Sequence, residues 1–234
     1  MARYPIAWAL VPQLCAAFPA GRRSLADDAA TLLARVDPPP RVLGAEHIPP
    51  NGPVLLVANH YQRHGLWIGF PGAAITLAVA ACRPDDPPVR WLTIGGIRLL
   101  QSRNRGPEVP LTRPILRRVA DLYGMTALPP TGSVARSLAL RSWMGGARDG
   151  AVLGFFPEGP EGRNRGLRRP SRGAHLLIRH LAGLGVTALP VAIYEEHDRL
   201  HIRFGAPEPA NLDDLMPAIA ALLPPSLRGP YGGA

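Results

Sequence analysis

Short apolar runs that end abruptly in polar residues are the feature of this sequence that most constrains its fold. Pro53–Ala58 (PVLLVA) is followed directly by Asn59 and His60, and Ala151–Phe156 (AVLGFF) leads into a charged loop that begins Pro-Glu-Gly. Runs of this length, without polar alternation, are typical of strands that are buried on both faces. We therefore expect both runs to be central strands of a sheet covered on its two sides.

Segments with helical spacing of apolar residues alternate with the predicted strands over most of the 234 residues. The alternation predicts an α/β fold, a single domain with a mixed, mostly parallel β-sheet flanked by helices on both faces. Residues 1–40 are expected to form an N-terminal apolar segment and helix, and residues 41–234 the α/β domain. Helices are predicted at 24–36, 66–81, 114–122, 133–145, 172–184 and from 211 onward, and further strands at 41–48, 89–94, 125–128, 186–194 and 201–204.

The basic residues are all arginine, 26 of them against 17 acidic residues, which gives a net charge of +9. A charge of this size attracts partners that carry phosphate, such as an anionic membrane surface or a phosphorylated substrate. DNA would also satisfy the charge alone. The sequence has no recognisable nucleic-acid motif and no aromatic residues interleaved with the basic ones, so nucleic acid is not expected as a partner.

The stretch from Tyr4 to Gly21 contains no charged residue and is interrupted by three prolines. It is shorter than the roughly 20 apolar residues that a membrane span requires. We expect it to pack on the core or to lie at a membrane interface, which fits a cytoplasmic protein peripheral to the membrane. Cys15 and Cys82 lack the spacing of metal or redox motifs and are expected to be inert.

Two predicted strands carry reactive side chains at their carboxyl ends. His60 follows one and Glu158 the other, and a parallel arrangement would bring them to the edge of the sheet where ligands bind. Several arginines follow Glu158 between positions 163 and 172, so an anion is the expected ligand. A hydrogen-bonded structural histidine and a solvated basic loop are the alternatives. No metal site is expected, because no glutamate follows His60 and no third ligand accompanies His60 and His64.

Four segments, taken in order, resemble the glycerolipid acyltransferase superfamily, to which the lysophosphatidate acyltransferases belong. NGPVLLVANHYQ (51–62) resembles the strand and Asn-His block of that family, and FPEGPEGR (156–163) resembles its Phe-Pro-Glu-Gly block. RRPSRGA (168–174) is similar to the basic stretch that begins the next helix, with Arg172 in place of a lysine. ALPVAI (188–193) is similar to the closing strand with its central Pro-Val.

The resemblance implies transfer of a fatty acyl group from a thioester of coenzyme A or acyl carrier protein to a hydroxyl of a lysophospholipid-like acceptor. It implies no cofactor beyond this co-substrate. His60 would be the general base that takes the hydroxyl proton. The positions that the resemblance and the neighbouring sequence assign to the substrate are Asn59, Tyr61, Phe156, Pro157, Gly159, Arg163, Arg172 and Arg136.

The catalytic half of the resemblance departs from the family pattern at Gly65, where members place an aspartate that orients the histidine. One alternative is that His64 takes this role, since on a helix it would lie one turn from His60. A second is that a carboxylate from another loop orients the imidazole of His60. A third is that catalysis is lost while binding of lipid or acyl thioester is kept. The candidate carboxylates for the second alternative are Glu158, Asp85, Asp86 and Glu161.

The acceptor half departs from the pattern near Leu128. Family members carry an arginine shortly after the strand that precedes the helix starting at Ser133, whereas here Arg136 is the nearest guanidinium. An arginine displaced by about one helical turn would accommodate a different headgroup, because guanidinium groups recognise phosphate with defined geometry. Lysophosphatidate is therefore not expected to be the specific acceptor.

Overall fold

A twisted sheet runs through the centre of the protein and places the carboxyl ends of its strands along one edge. The computed structural model describes residues 3–5, 8–96, 98–100, 105–129, 133–159 and 166–233. The strands are β1 (Arg41–Leu43), β2 (Val54–Ala58), β3 (Arg90–Ile94), β4 (Arg98–Leu100), β5 (Arg105–Glu108), β6 (Thr126–Leu128), β7 (Val152–Phe155), β8 (Thr187–Glu196), β9 (Arg199–Phe204) and β10 (Glu208–Pro209).

The main sheet has the strand order β1-β9-β8-β2-β7-β3-β6, and β10 pairs with β8. Neighbours from β8 to β6 are parallel, and so are β1 and β9, whereas β8 pairs with both β9 and β10 in antiparallel fashion. Every residue of β2 and β7 is buried, as the uninterrupted apolar runs predict. The predicted mixed, mostly parallel α/β sheet is therefore confirmed.

Seven helices are described: α1 (Val11–Ala17), α2 (Leu25–Leu33), α3 (Gly69–Cys82), α4 (Thr112–Leu122), α5 (Val134–Gly145), α6 (Ala174–Ala182) and α7 (Leu212–Leu222). The chain crosses the sheet in one direction through α3, from β2 to β3, and in the other through α6, from β7 to β8. Because parallel crossovers are right-handed, these two helices cover opposite faces. Serines begin two of the helices as N-caps: Ser24 Oγ accepts the N–H of Asp27, and Ser133 Oγ that of Arg136, each at 3.1 Å.

Several predicted elements are shorter in the structure, among them the helices predicted at 24–36 and 172–184, which extend over Leu25–Leu33 and Ala174–Ala182. The strand predicted at 41–48 ends at Leu43, because Gly44 adopts a φ of 72° and a Cβ there would lie 2.2 Å from the carbonyl oxygen of Phe204. A 3₁₀ turn at Ala45–His47 follows. The helix predicted at 66–81 begins only at Gly69, and residues 59–68 form a loop.

The N-terminal apolar segment lies on the outside of the domain. No residue of α1 is buried, and Trp8 is 67% exposed. The guanidinium of Arg118 on α4 donates hydrogen bonds to the carbonyls of Ala17 and Gly21, at 3.1 and 2.8 Å. The part of the segment from α1 to Gly21 is thus attached to α4, whereas Leu10 is buried and Tyr4 packs against the core. Within the described ranges, we find no helix with both the length and the apolar character needed to cross a bilayer.

Candidate active site

The carboxyl ends of β2 and β7 bring His60 and Glu158 together, as their positions after parallel strands predict. The two strands are neighbours, with Val57 opposite Phe155. The backbone N–H of His60 donates to Glu158 Oε1 at 2.6 Å. Two segments almost a hundred residues apart therefore share a direct hydrogen bond at the sheet edge.

A tight turn after β7 directs Glu158 inward. The N–H of Gly159 bonds to the carbonyl of Phe156 at 3.2 Å, with Pro157 in the second position of the turn and Gly159 in the last. Proline and glycine are favoured at these two positions of a type I turn. The carbonyl of Pro157 also accepts the N–H of Ser171 at 2.8 Å, which anchors the basic segment to the turn. Glu158 is consequently buried, with its side chain only 1% exposed.

Glu158 uses its second oxygen to hold Arg168. Oε2 accepts the backbone N–H of Arg168 at 2.8 Å and lies 3.4 Å from Nε of its guanidinium. Burial raises the pKa of Glu158, and the two amide donors and the charge of Arg168 counteract part of that effect. Both carboxylate oxygens are thus engaged by backbone amides, and neither bonds to the imidazole of His60.

An aromatic column supports the His60 ring. Phe156 meets the imidazole edge-on at a centroid distance of 5.4 Å and stacks on Trp91 at 5.4 Å with nearly parallel planes. Trp91 is itself fixed by a hydrogen bond from Nε1 to Thr76 Oγ1 at 3.1 Å. Burial lowers the pKa of His60 and the positive charge of Arg168 lowers it further, while an interaction with its own backbone counteracts part of this effect. The lowered pKa favours the neutral imidazole, which is the form that accepts a proton.

Asn59 is occupied by the neighbouring strand. Its Nδ2 donates to the carbonyl of Ile193 at 2.9 Å, and its Oδ1 accepts the N–H of Ile193 at 2.6 Å. Because β8 extends beyond the end of β2, this amide side chain satisfies backbone groups that a longer β2 would otherwise pair. Asn59 is 1% exposed. Its contact with Ile193 positions the start of the loop that carries His60.

A buried polar cluster fixes the loop that follows His60. Glu195 accepts hydrogen bonds from Tyr4 at 2.7 Å, from Tyr61 at 3.3 Å and from both Nε and Nη2 of Arg63. Burial alone would raise the pKa of Glu195, but these donors and the charge of Arg63 lower it overall. The hydroxyl of Tyr61 is thereby directed to Glu195, and the chain is held three residues after His60.

The premise that places His64 one helical turn from His60 is wrong. Leu66 N–H bonds to the carbonyl of Arg63 at 3.1 Å, and Gly65 has a φ of 82°, so residues 63–66 form a tight turn. Glycine is favoured at the third position of a type II turn because φ is positive there. His64 is exposed in this turn.

The other candidate carboxylates do not approach the imidazole within the part of the chain that the structure describes. Asp86 pairs with Arg83, whose guanidinium donates to the carbonyls of Pro49 and Gly52 before β2. This places Asp86 at the amino-terminal edge of the sheet, opposite His60. Asp85 is exposed beside it, and Glu161 lies outside the described residues.

Two of the three predicted substrate arginines lie in the described part of the chain, at the starts of different helices. Arg136 lies in the first turn of α5, donates to the carbonyl of Pro129 at 2.9 Å, and has a pKa lowered by burial. Arg172 is exposed just before α6, and Arg163 lies outside the described residues. Among the described arginines, Arg168 is the one that shares Glu158 with His60. The density of arginines signals a basic segment, but only the fold distinguishes this one from its neighbours.

Similarity to known proteins is found among solved structures. No protein-family model and no curated protein matches the sequence. The chain is similar to the crystal structure of the 1-acyl-sn-glycerophosphate (LPA) acyltransferase PlsC from Thermotoga maritima, with a TM-score of 0.49 and 16% sequence identity. The superposition covers 80% of this chain and 66% of that chain.

Proposed function

We propose that this protein is an O-acyltransferase that moves a fatty acyl group from a thioester to a hydroxyl of a lysophospholipid-like acceptor, with His60 as the general base. The observation that carries the proposal is the hydrogen bond between His60 and Glu158. It joins, at adjacent strand ends, the two sequence blocks that resemble the glycerolipid acyltransferases. The donor, coenzyme A or acyl carrier protein, and the anionic membrane surface are parts of the same proposal.

The geometry supports a proton transfer at His60. Of the two ring nitrogens, Nδ1 is buried without a hydrogen-bond partner among the described residues. Nε2 is then the nitrogen that takes the proton of the acceptor hydroxyl while its oxygen attacks the thioester carbonyl. The carbon–sulfur bond breaks, and the leaving thiolate receives the proton back from the imidazolium. Both the depressed pKa and the aromatic support favour a neutral, oriented base.

A second candidate function is a lipid or acyl-thioester binding protein with little or no turnover. It is favoured by one observation: in the described part of the chain no carboxylate bonds to the imidazole of His60. In serine proteases, replacing the orienting aspartate lowers kcat by about 10⁴. This candidate predicts saturable binding of acyl-coenzyme A without release of free thiol for any lyso-acceptor.

The test is turnover of the His60→Ala variant with an acyl thioester and a panel of lysophospholipids. Thiol release and the acylated product are measured together, and His180→Ala, an exposed histidine on α6, is the matched control. We expect His60→Ala to lose turnover by at least about 10²-fold while its thermal unfolding stays cooperative, and His180→Ala to keep full activity. Equal turnover of wild type and His60→Ala would refute the acyltransferase proposal, and binding without wild-type turnover would favour the second candidate.

A further inference from the structure

The imidazole of His60 has an unused hydrogen-bonding atom on its buried side. Nδ1 is buried, and among the described residues nothing bonds to it. A buried polar atom without a partner destabilises the folded state, because it has lost its hydrogen bonds to water. Neither oxygen of Glu158 bonds to Nδ1, and Gly65 has no side chain to offer. Within the described part of the chain, the ring therefore has no protein acceptor that would select its tautomer.

Arg168 contributes unused donors at the same place. Its Nε and Nη2 are buried and, within the described ranges, make no hydrogen bond, although Nε lies 3.4 Å from the Glu158 carboxylate. The side chain as a whole is 23% exposed, and this exposure belongs to atoms other than the buried Nε and Nη2. Arginine presents several donors in a planar fork that suits phosphate and carboxylate oxygens.

Glu158 keeps the two groups side by side. One of its oxygens accepts the backbone N–H of His60 and the other that of Arg168, so the two side chains leave the backbone next to one carboxylate. Among the described residues, Arg168 is the charged group that acts on the imidazole of His60, and Glu195 on β8 is engaged by Arg63. The charges of Arg168 and Glu158 balance each other, whereas Nδ1 of the imidazole has no hydrogen-bond partner among the described residues.

We propose that an anionic oxygen of the bound substrate, a phosphate oxygen, accepts hydrogen bonds from both the Arg168 guanidinium and His60 Nδ1–H, and so takes the place of the missing carboxylate. The proposal rests on the proposed acyltransferase function and deepens it: the substrate supplies the group that orients its own base. A phosphate of the lipid headgroup and a phosphate of coenzyme A are the two sources of this chemistry.

Binding of the anion changes what His60 can do in the transfer step. With Nδ1–H donated to the phosphate, Nε2 carries the free lone pair and faces the acceptor hydroxyl. As the hydroxyl proton moves to Nε2, the resulting imidazolium lies against a negative oxygen, which stabilises it as a carboxylate would. The base is therefore fully competent only when the phosphate-bearing substrate is in place.

The direct test follows the His60 imidazole by nuclear magnetic resonance in a phosphate-free buffer, with the resonance assigned from His60→Gln. Inorganic phosphate, glycerol 3-phosphate and coenzyme A are added in separate titrations, and glycerol is the uncharged control. We expect at least one anion to raise the pKa of His60 by about 1 and to fix the Nδ1–H tautomer. Glycerol 3-phosphate acting alone assigns the headgroup, and coenzyme A acting alone assigns the donor.

Variants of Arg168 separate this site from general charge effects. Arg168→Gln should start from a higher His60 pKa without ligand, because a repelling charge is gone, and should show no further rise with any anion. Arg168→Lys keeps the charge and should show a smaller rise. Arg179→Gln removes an exposed arginine on α6 and should respond like wild type. The backbone contact to Glu158 persists in all three variants, and circular dichroism melting verifies the fold.

The outcomes distinguish this inference from the function on which it rests. If no anion raises the pKa of His60, or if the rise persists in Arg168→Gln, the inference is wrong, and it is wrong even when His60→Ala abolishes turnover. If His60→Ala retains turnover, the proposed function itself fails, whatever the anions do. In active protein, if the headgroup supplies the phosphate, Arg168→Gln should lower kcat at least about tenfold more for a phosphate-bearing acceptor than for monoacylglycerol. If coenzyme A supplies it, Arg168→Gln should lower kcat equally for both acceptors.

Discussion

At the scale of single residues, Glu158 illustrates the difference between a position and an orientation. Its place after a buried strand predicts that it lies at the ligand-binding edge of the sheet, and the structure confirms this placement. The direction of its carboxylate depends on the turn from Phe156 to Gly159 and on the return of the chain at Arg168. The carboxylate therefore acts on two backbone amides, and it holds His60 and Arg168 in position.

We expect Glu158→Gln to destabilise the protein and to weaken catalysis together. The glutamine amide keeps one acceptor oxygen, but its NH₂ group would face a backbone N–H, which leaves a buried donor without a partner. The expected loss is about 1–3 kcal/mol in the free energy of unfolding, measured by urea denaturation. Glu196→Gln, with a side chain that is 48% exposed, should change stability by less than about 0.5 kcal/mol. Equal stability of Glu158→Gln and Glu196→Gln would contradict the role of the Glu158 carboxylate in holding the backbone amides of His60 and Arg168.

At the scale of elements, the sequence predicts the existence of strands and helices better than the path of the loops. The apolar runs and the Ser24 and Ser133 caps predict β2, β7, α2 and α5 because burial and capping are local signals. The loop after His60 was predicted less well. Gly65 makes a turn possible, and the Arg63–Glu195 pair draws the chain toward β8. That pair joins residues 132 positions apart, which no local pattern reports.

The attachment of α1 gives a prediction at this scale. Arg118 donates to the carbonyls of Ala17, Phe18 and Gly21 at the end of α1, and α1 has no buried residue of its own. The Arg118→Met variant keeps an aliphatic side chain and removes the hydrogen-bond donors, so we expect α1 to detach locally while the domain stays folded. Hydrogen exchange of residues 11–21 should accelerate at least about tenfold, which corresponds to about 1.4 kcal/mol. The control is Arg117→Met, which alters an exposed position of α4. Unchanged hydrogen exchange in Arg118→Met would refute the attachment of α1 to α4.

At the scale of the whole molecule, fold and surface charge were predictable from the sequence, while the strand order was not. Alternating elements predict a mostly parallel sheet, but the order β8-β2-β7-β3 arises from crossovers that the sequence does not encode locally. The order matters for the site, because it makes β2 the neighbour of both β7 and β8. His60 can then be supported by Glu158 from one side and by the Asn59–Ile193 contact from the other.

The surface of the molecule gives the last prediction, association with anionic membranes. The net charge is +9, and exposed apolar side chains, Trp8 at 67%, Val11 at 39% and Phe18 at 36%, lie on the segment that Arg118 attaches to the domain. Charge should bring the protein to anionic lipid, and apolar insertion should retain it there.

We expect the protein to sediment with phosphatidylglycerol vesicles but not with phosphatidylcholine vesicles, and to bind more weakly as the salt concentration rises. Trp8→Ser with Phe18→Ser should lower the partition coefficient at least about tenfold, whereas Leu176→Ser, which alters an exposed side chain on α6, should leave it unchanged. Equal binding of these two variants would show that charge alone recruits the protein, and no binding of wild type at low salt would remove the membrane from the proposal.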